Sequence, residues 1–181
     1  MWRFASIAVA TVVSVAVLVW AWRTFGAVSV WFSFFVVWVP MVAVGTLSRV
    51  VQIRLPAGYH RLRPFEVTGR VYERLGVRVA KSALRRGPLA LFNPHLHLPE
   101  ERTPEQLAVL DQRMRDAEAS HAVLFVAVLP VVAHAAVRGW WAAAVSTVVF
   151  DVIMNLYPVM LQRYNRARLA QLRPERRPRI P

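Results

Sequence analysis

The chain has 181 residues, of which 56% are hydrophobic, and its formal net charge is +13. It contains no cysteine, which excludes disulfides, thiolate nucleophiles and cysteine metal sites, and four long apolar stretches exclude an ordinary soluble domain. These stretches are residues 4–22, 24–48, 122–137 and 139–162, and Asp151 is their only charged residue. Because a helix needs about 20 apolar residues to cross a bilayer, we predict an all-α, polytopic membrane protein with four transmembrane helices.

Four segments follow one another along the chain. Residues 1–48 are predicted to form a first transmembrane hairpin, whose first apolar stretch is too long for a signal peptide and is expected to be retained. Residues 49–103 form a cytoplasmic segment at the membrane surface, with a helix or strand near its middle and an ordered loop at Asn93–Pro99. Residues 104–168 form a long interfacial-to-transmembrane helix and a returning transmembrane helix, and residues 169–181 form a basic, proline-rich tail.

The basic residues are distributed unevenly, which predicts the orientation of the chain. Thirteen Lys or Arg lie between Arg49 and Glu118, and seven Arg lie from Arg163 onward. Because positive residues favour the cytoplasmic side, we expect both termini and the central segment in the cytoplasm, and the protein in the plasma membrane. The charge is expected to contact anionic membrane lipids rather than nucleic acid.

The third span is expected to begin outside the apolar stretch. Thr103 is a helix-capping residue, Pro104 suits the first helical position, and Gln106 completes a capping-box pattern. No helix breaker precedes the apolar stretch, so the pattern predicts one helix from Pro104 to Val137. The Arg138-Gly139 pair then predicts a tight turn.

The helices on either side of the Arg138-Gly139 turn form a second hairpin, and their register brings four polar residues together. His121 lies at the same depth in the membrane as Asn155. Asp151 shares a helix face with Asn155, and Glu118 shares a face with His121. Ionisable residues inside a membrane are costly and are therefore functional candidates. We predict that His121 is a general base, that Glu118 or Asp151 orients it, and that Asn155 positions the reacting group.

Other interpretations of these four residues remain open. Glu118 can instead pair with Arg115 or an arginine of the tail, and Asp151 and Asn155 can simply join helices. The protein would then be a non-enzymatic accessory or assembly protein. A metal-dependent lipid enzyme, with a site built from Glu118, His121 and Asp151, is a further alternative. The chain has no H-E-x-x-H pattern, and no metal site is predicted.

The last span leaves the membrane through an unusually polar stretch. A simple stop-transfer signal needs arginines and an aromatic anchor, whereas amide side chains add paired donors and acceptors that suit sugar hydroxyls or a carboxylate. Arginines can hold a phosphate or an acyl carboxylate. We predict a head-group site formed by Gln162, Arg163, Tyr164, Asn165 and Arg166.

These motifs resemble a known family. The step Ala117-Glu-Ala-Ser-His121, a hydrophobic hairpin, and then Asn155-x-x-Pro-x-x-x-Gln-Arg-Tyr-Asn-Arg166 are similar to the glycosyl-diaponeurosporenoate acyltransferases. These are the CrtO-type enzymes of staphyloxanthin-like carotenoid synthesis. Upstream, Val71-Tyr-Glu-Arg-Leu-Gly-Val77 with Lys81 is also similar, and the resemblance covers about residues 66–168. The Gln-Arg-Tyr-Asn-Arg run is its most specific part.

The resemblance implies a small membrane enzyme that esterifies a sugar hydroxyl of a glycosylated carotenoid with a fatty acyl chain. It implies acyl-CoA or an acyl carrier as co-substrate and no other cofactor, and it adds Glu73 and Lys81 to the head-group residues. We therefore predict a membrane acyltransferase that acts on a hydroxyl of a lipid-linked sugar or a similar lipid.

Overall fold

The computed structural model describes residues 2–48, 50–86 and 103–172. The loop predicted at Asn93–Pro99 and residues 173–181 of the predicted tail lie outside these residues, whereas residues 169–172 of that tail continue the last helix. The described residues form α1 (Trp2–Phe25), α2 (Val30–Leu47), α3 (Arg70–Arg74), α4 (Val77–Arg86), α5 (Pro104–Val137), α6 (Trp141–Asp151) and α7 (Tyr157–Leu172), with a π-helical turn (Val152–Leu156) between α6 and α7. No strand occurs among them, so the predicted all-α class is confirmed.

Four helical stretches are long and apolar enough to cross a membrane, as the sequence predicts. They are Trp2–Phe25, Val30–Leu47, Pro104–Val137 and Trp141–Gln171. Many of their apolar side chains are exposed, for example Val126 at 62% and Val145 at 60%. Exposed apolar side chains on such helices are expected where lipid tails, rather than water, surround the protein.

The chain forms two compact units, each built from two separate ranges. Unit 1 comprises Met1–Arg54 and Ala119–Val159, and unit 2 comprises Leu55–Glu118 and Met160–Pro181. Helices α5 and α7 contribute residues to both units. The units are therefore not consecutive segments of the sequence.

In unit 1, α1 and α2 form a hairpin, and α2 packs on α6. Gly26 follows α1 with a φ of +77°, a left-handed conformation that glycine adopts without a steric penalty. Ser29 caps α2 by accepting a hydrogen bond from the N–H of Phe32 at 3.0 Å. The hydroxyl of Ser33 donates to the carbonyl of Ala143 at 3.3 Å, which links α2 to α6 and satisfies a buried polar group.

A tight turn joins α5 to α6 in unit 1. Gly139 has a φ of +72°, and the N–H of Trp140 bonds to the carbonyl of Ala135 at 2.8 Å. The small side chains of Ala143 and Ala144 pack against Ala135, which lets the two helices approach closely. The tight turn predicted here is confirmed.

Helix α5 runs without interruption from Pro104 to Val137, as predicted, and is about 50 Å long at the usual rise per residue. Thr103 Oγ1 accepts from the N–H of Gln106 at 3.3 Å, so the predicted cap is present. The predicted capping box is wrong in its second half. The side-chain oxygen of Gln106 is buried and has no hydrogen-bond partner among the described residues.

In unit 2, the surface segment predicted as helix or strand is helical. Gly69 (φ +72°) precedes α3, and Gly76 (φ +77°) separates α3 from α4. Gly69 also lies against the ring of Tyr164, where an added Cβ would be 3.0 Å from Cε2. Only glycine therefore satisfies both the backbone conformation and the close approach of the ring.

Candidate active site

Three buried or partly buried polar side chains of unit 1 form a hydrogen-bonded chain. Asn155 Nδ2 donates to Asp151 Oδ1 at 2.7 Å, and His121 Nδ1 lies 3.1 Å from Asn155 Oδ1. Asp151 and Asn155 are 1% and 0% exposed, whereas His121 is only partly buried. The predicted register is confirmed, because His121 is level with Asn155 and Asp151 contacts Asn155 from the same helix.

A π-helical turn carries the central residue of this chain. The turn spans Val152–Leu156, and the N–H of Tyr157 bonds to the carbonyl of Val152, five residues earlier. Single π turns within α-helices are rare and occur frequently at functional sites. No pattern in the sequence predicts this one.

The amide of Asn155 determines which nitrogen of His121 carries hydrogen. The amide turns Nδ2 toward Asp151 and Oδ1 toward His121. Since Oδ1 is an acceptor, Nδ1 of His121 must donate. In the neutral ring Nε2 then carries the lone pair, and Nε2 is the nitrogen that can take a proton from a substrate.

Asp151 has one acceptor oxygen still open. Its Oδ2 is buried and has no hydrogen-bond partner among the described residues. A buried acceptor without a partner costs free energy, so such an atom calls for a donor from water or from a ligand. The three side chains therefore offer a basic nitrogen at one end and an open carboxylate oxygen at the other.

Glu118 has different partners from those the sequence suggested. It belongs to unit 2, is 0% exposed, and accepts from Arg163 Nη1 at 2.7 Å and Arg166 Nη1 at 2.6 Å. The alternative interpretation paired Glu118 with Arg115 or an arginine of the tail, and its arginine partners are instead Arg163 and Arg166, which precede the predicted tail. Of the two carboxylates proposed to orient His121, only Asp151 is connected to it, through Asn155.

Arg163 binds a second buried carboxylate in unit 2. Its Nε lies 2.8 Å from Glu66 Oε1 and its Nη2 lies 3.1 Å from Glu66 Oε2, a bidentate pair, and the Tyr72 hydroxyl also donates to Glu66. Burial alone would raise the pKa of Glu66, but the hydrogen bonds from Arg163 and Tyr72 hold this pKa below its ordinary value. Burial and the Glu66 carboxylate raise the pKa of Tyr72, which keeps its hydroxyl a donor.

Arg166 is equally occupied by groups of the protein. Besides Glu118, it donates from Nε to Asp111 Oδ1 at 3.1 Å and from Nη2 to the carbonyl of His60 at 2.5 Å. The His60 ring lies beside the same network, with Nδ1 3.6 Å from Glu118 Oε2. Arg163 and Arg166 thus hold the segment around residues 59–66 to helices α5 and α7 within unit 2.

The remaining residues of the predicted head-group site contact α3 and α4. The Tyr164 hydroxyl donates to Glu73 Oε1 at 2.9 Å, and Lys81 Nζ donates to Asn165 Oδ1 at 2.7 Å. Lys81 also lies 5.7 Å from the centre of the Tyr164 ring. Residues of α3 and α4 and residues of α7, which are far apart in the sequence, are therefore neighbours. Gln162 is partly buried on the same helix as Tyr164 and Asn165.

The sequence match to a family covers both clusters of polar residues. Residues 56–174 match the profile of glycosyl-4,4'-diaponeurosporenoate acyltransferase, which is more than half of the chain. The chain belongs to this family. The resemblance inferred from the motifs is confirmed, and this member of the glycosyl-4,4'-diaponeurosporenoate acyltransferase family is an enzyme, an acyltransferase. No curated protein and no solved structure matches it.

Several residues of the unit 2 network in this acyltransferase escaped the sequence analysis: His60, Glu66, Tyr72 and Asp111. A partial signal existed, because arginines that become buried need carboxylate partners and the chain has only ten acidic residues. Which acid pairs with which arginine was not predictable. The contact between His60 and Arg166, for example, joins residues 106 positions apart.

Proposed function

We propose that this acyltransferase moves a fatty acyl group from an acyl thioester to a hydroxyl of a glycosylated carotenoid or a similar lipid-linked sugar. The family name supports the acceptor class. The observation that carries the proposal is the chain Asp151–Asn155–His121, which presents Nε2 of a histidine as a base. Acyl-CoA or an acyl carrier protein is the proposed donor.

Acyl transfer to a hydroxyl needs a base for the acceptor and an acid for the leaving group. In the proposed reaction, His121 Nε2 takes the hydroxyl proton while the oxygen attacks the thioester carbonyl carbon. The tetrahedral intermediate then breaks its carbon–sulfur bond, and His121 returns the proton to the sulfur. The products are an ester and a free thiol, and the histidine ends in its starting state.

Asn155 and Asp151 support the imidazole in this scheme. The amide oxygen holds Nδ1–H, which keeps the ring in one orientation and one tautomer. Asp151 polarises the amide from its other side, so the charge that develops on the ring is stabilised through the amide.

The head-group residues divide into two kinds in this proposal. Gln162, Glu73 and Lys81 are partly exposed and are proposed to bind the polar ligand. Tyr164 and Asn165 are buried and are proposed to act through Glu73 and Lys81, which they orient by hydrogen bonds. Arg163 and Arg166 are assigned a structural role, because protein carboxylates already occupy their donors.

The proposed location is the cell membrane. Four apolar spans support a multi-pass protein, and the concentration of basic residues in the central segment and after Arg163 supports a cytoplasmic position for both. An even number of spans between these regions, and before the first of them, supports the proposal that both termini lie on that side.

Two rival functions make different demands on the same residues. A metal-dependent enzyme needs a ligand cluster, and within the described ranges no three His, Asp or Glu side chains are placed to share one metal ion. An accessory protein needs no basic nitrogen at His121. The acyltransferase proposal therefore depends on His121 as a base, which the accessory rival does not need.

The test is ester formation by the purified protein in nanodiscs, supplied with a glycosylated carotenoid and an acyl thioester and followed by mass spectrometry. We expect His121→Asn to lower the rate by about 10²-fold or more, the usual contribution of general acid–base catalysis. His134→Asn is the matched control, because His134 is an exposed histidine of α5 beside Trp140 and should leave the rate unchanged.

Two outcomes would contradict the proposal at different levels. Undiminished ester formation by His121→Asn at an equal protein level would exclude His121 as the base. A wild-type protein that forms no ester with any acyl thioester and glycosylated lipid acceptor would exclude acyl transfer to this acceptor class.

A further inference from the structure

Folding of unit 2 separates its charges by sign. Glu66 and Glu118 are buried against arginines, Asp111 binds Arg166, and Glu73 accepts from Tyr164. Among the side chains of unit 2 that the structure describes, one exposed residue is acidic, Glu105. The exposed basic ones are Arg61, Arg63, Arg70, Arg74, Arg78, Arg113 and Arg168. Among the side chains that the structure describes, the most exposed charges of unit 2 are therefore mainly cationic.

Apolar side chains are exposed among these arginines. Phe65 is 59% exposed, Val67 44%, Leu75 49% and Val79 75%, and all four lie in or just before α3 and α4. Exposed apolar groups beside exposed arginines are typical of segments in the head-group region of a bilayer. There the apolar groups enter the acyl boundary while the arginines contact phosphates.

We propose that residues 61–79, through α3 and the first turn of α4, form a docking surface for the anionic phospholipids of the bilayer that the protein spans. Five exposed arginines, Arg61, Arg63, Arg70, Arg74 and Arg78, and no exposed acidic residue among the described side chains of this range provide the charge complementarity. The interleaved apolar residues favour lipid over an acidic protein or a nucleic acid, because neither of these needs such groups. A membrane-anchored chain also holds this surface at a high effective concentration of lipid.

The absence of cysteine makes a direct test simple. A single Val79→Cys substitution provides one attachment site for an environment-sensitive fluorophore in the full-length protein. The labelled protein is placed in nanodiscs of phosphatidylcholine alone or mixed with phosphatidylglycerol. We expect a blue shift of the emission, protection from iodide and quenching by spin-labelled acyl chains only when phosphatidylglycerol is present.

Charge variants identify the residues that produce the response to phosphatidylglycerol. Changing Arg70, Arg74 and Arg78 together to Gln should abolish the response to phosphatidylglycerol, whereas changing the same three to Lys should preserve it, because the charge is retained. All three arginines are exposed, and equal melting temperatures of the variants would verify that the fold is intact. Added salt should weaken the response of the wild-type arginines.

Several results would overturn the proposal. Equal iodide quenching in both kinds of nanodisc would do so, as would a full response in the Gln variant. Binding of an acidic carrier protein to these arginines without any lipid response would assign the surface to a protein partner instead. The readout is independent of acyl transfer, so its failure is distinguishable from failure of the proposed function.

Discussion

At the scale of single residues, Asn155 determines the orientation and the tautomer of His121, the candidate base. A histidine paired directly with a carboxylate has a full negative charge against its ring, whereas here a neutral amide lies between His121 and Asp151. The amide passes on the direction of hydrogen bonding but cannot take up the proton. His121 Nδ1 is therefore held as a donor, and only Nε2 is available to exchange a proton.

Asn155→Leu should therefore impair both activity and stability. Leucine is similar in size but leaves His121 Nδ1 and Asp151 Oδ1 without a partner, at a cost of about 1–3 kcal/mol. We expect ester formation to fall at least about tenfold, as for other residues that orient a functional imidazole, with a lower melting temperature.

A second substitution at this position separates orientation from packing. Asn155→Asp keeps an acceptor for Nδ1–H but places two carboxylates together, so one must bind a proton and the pH–rate profile should shift. Ile153→Leu, at an exposed position of the same π turn, is the control and should change neither quantity. Normal rates in both Asn155 variants would exclude a positioning role.

At the scale of elements, α7 is the centre of the polar contacts in unit 2. Four consecutive residues have four sets of partners: Arg163 binds Glu66 and Glu118, Tyr164 binds Glu73, Asn165 binds Lys81, and Arg166 binds Glu118 and Asp111. Because successive residues of a helix point about 100° apart, these contacts surround α7 on all sides. The most distinctive motif of the sequence is thus the part of α7 with the most tertiary partners.

Gly69→Ala tests the packing of this element. Alanine at a φ of +72° costs about 1–2 kcal/mol, and its Cβ would also displace the Tyr164 ring that bonds to Glu73. Gly139→Ala is the matched control, because Gly139 has the same φ and no atom within 4 Å of the added Cβ. We expect a larger fall in melting temperature for Gly69→Ala. Equal falls would mean that the contact with Tyr164 is unimportant.

At the scale of the whole molecule, the polar residues divide between two units of different chemistry. Unit 1 contains the hydrogen-bonded side chains Asp151, Asn155 and His121, of which one is a carboxylate. Unit 2 contains a network of carboxylates and guanidinium groups. Glu118 and His121 are three residues apart in the sequence, yet they belong to different units and have different partners. Proximity in the sequence was therefore a poor guide to their interaction.

The unit 2 network should make overall stability depend on pH. The pKa of Glu66 is lower in the folded protein than its ordinary value of 4.5, so its stabilising effect is complete above that pH. The effect is lost as the pH falls through the lower, folded pKa. We expect the melting temperature of the detergent-solubilised protein to fall in this acidic range. Glu66→Gln should be less stable near neutral pH and should lack this part of the dependence, whereas parallel curves would contradict the assignment.

The position of Asp151 in the candidate active site was predictable because the helix is regular from the turn at Gly139 up to this residue. α6 is an ordinary α-helix from Trp141 to Asp151, so counting residues from the turn places Asp151 correctly. The π turn begins only at Val152 and adds one residue to a turn of helix, which rotates everything after it. The partners of Arg163 and Arg166 lie up to 106 positions away, and no helical count from the sequence reaches them.

The sequence by itself determined the all-α class, the four spans, the extent of α5, the turn at Gly139 and the family. These features depend on local hydrophobicity and local backbone geometry, which neighbouring residues specify. Only the tertiary structure decided that Asn155 rather than Glu118 contacts His121, and that Glu66 and Glu118 of unit 2 are buried while seven of its arginines are exposed. Ion-pair partners and burial depend on contacts between residues up to about a hundred positions apart, and the local pattern of a single sequence does not encode those contacts.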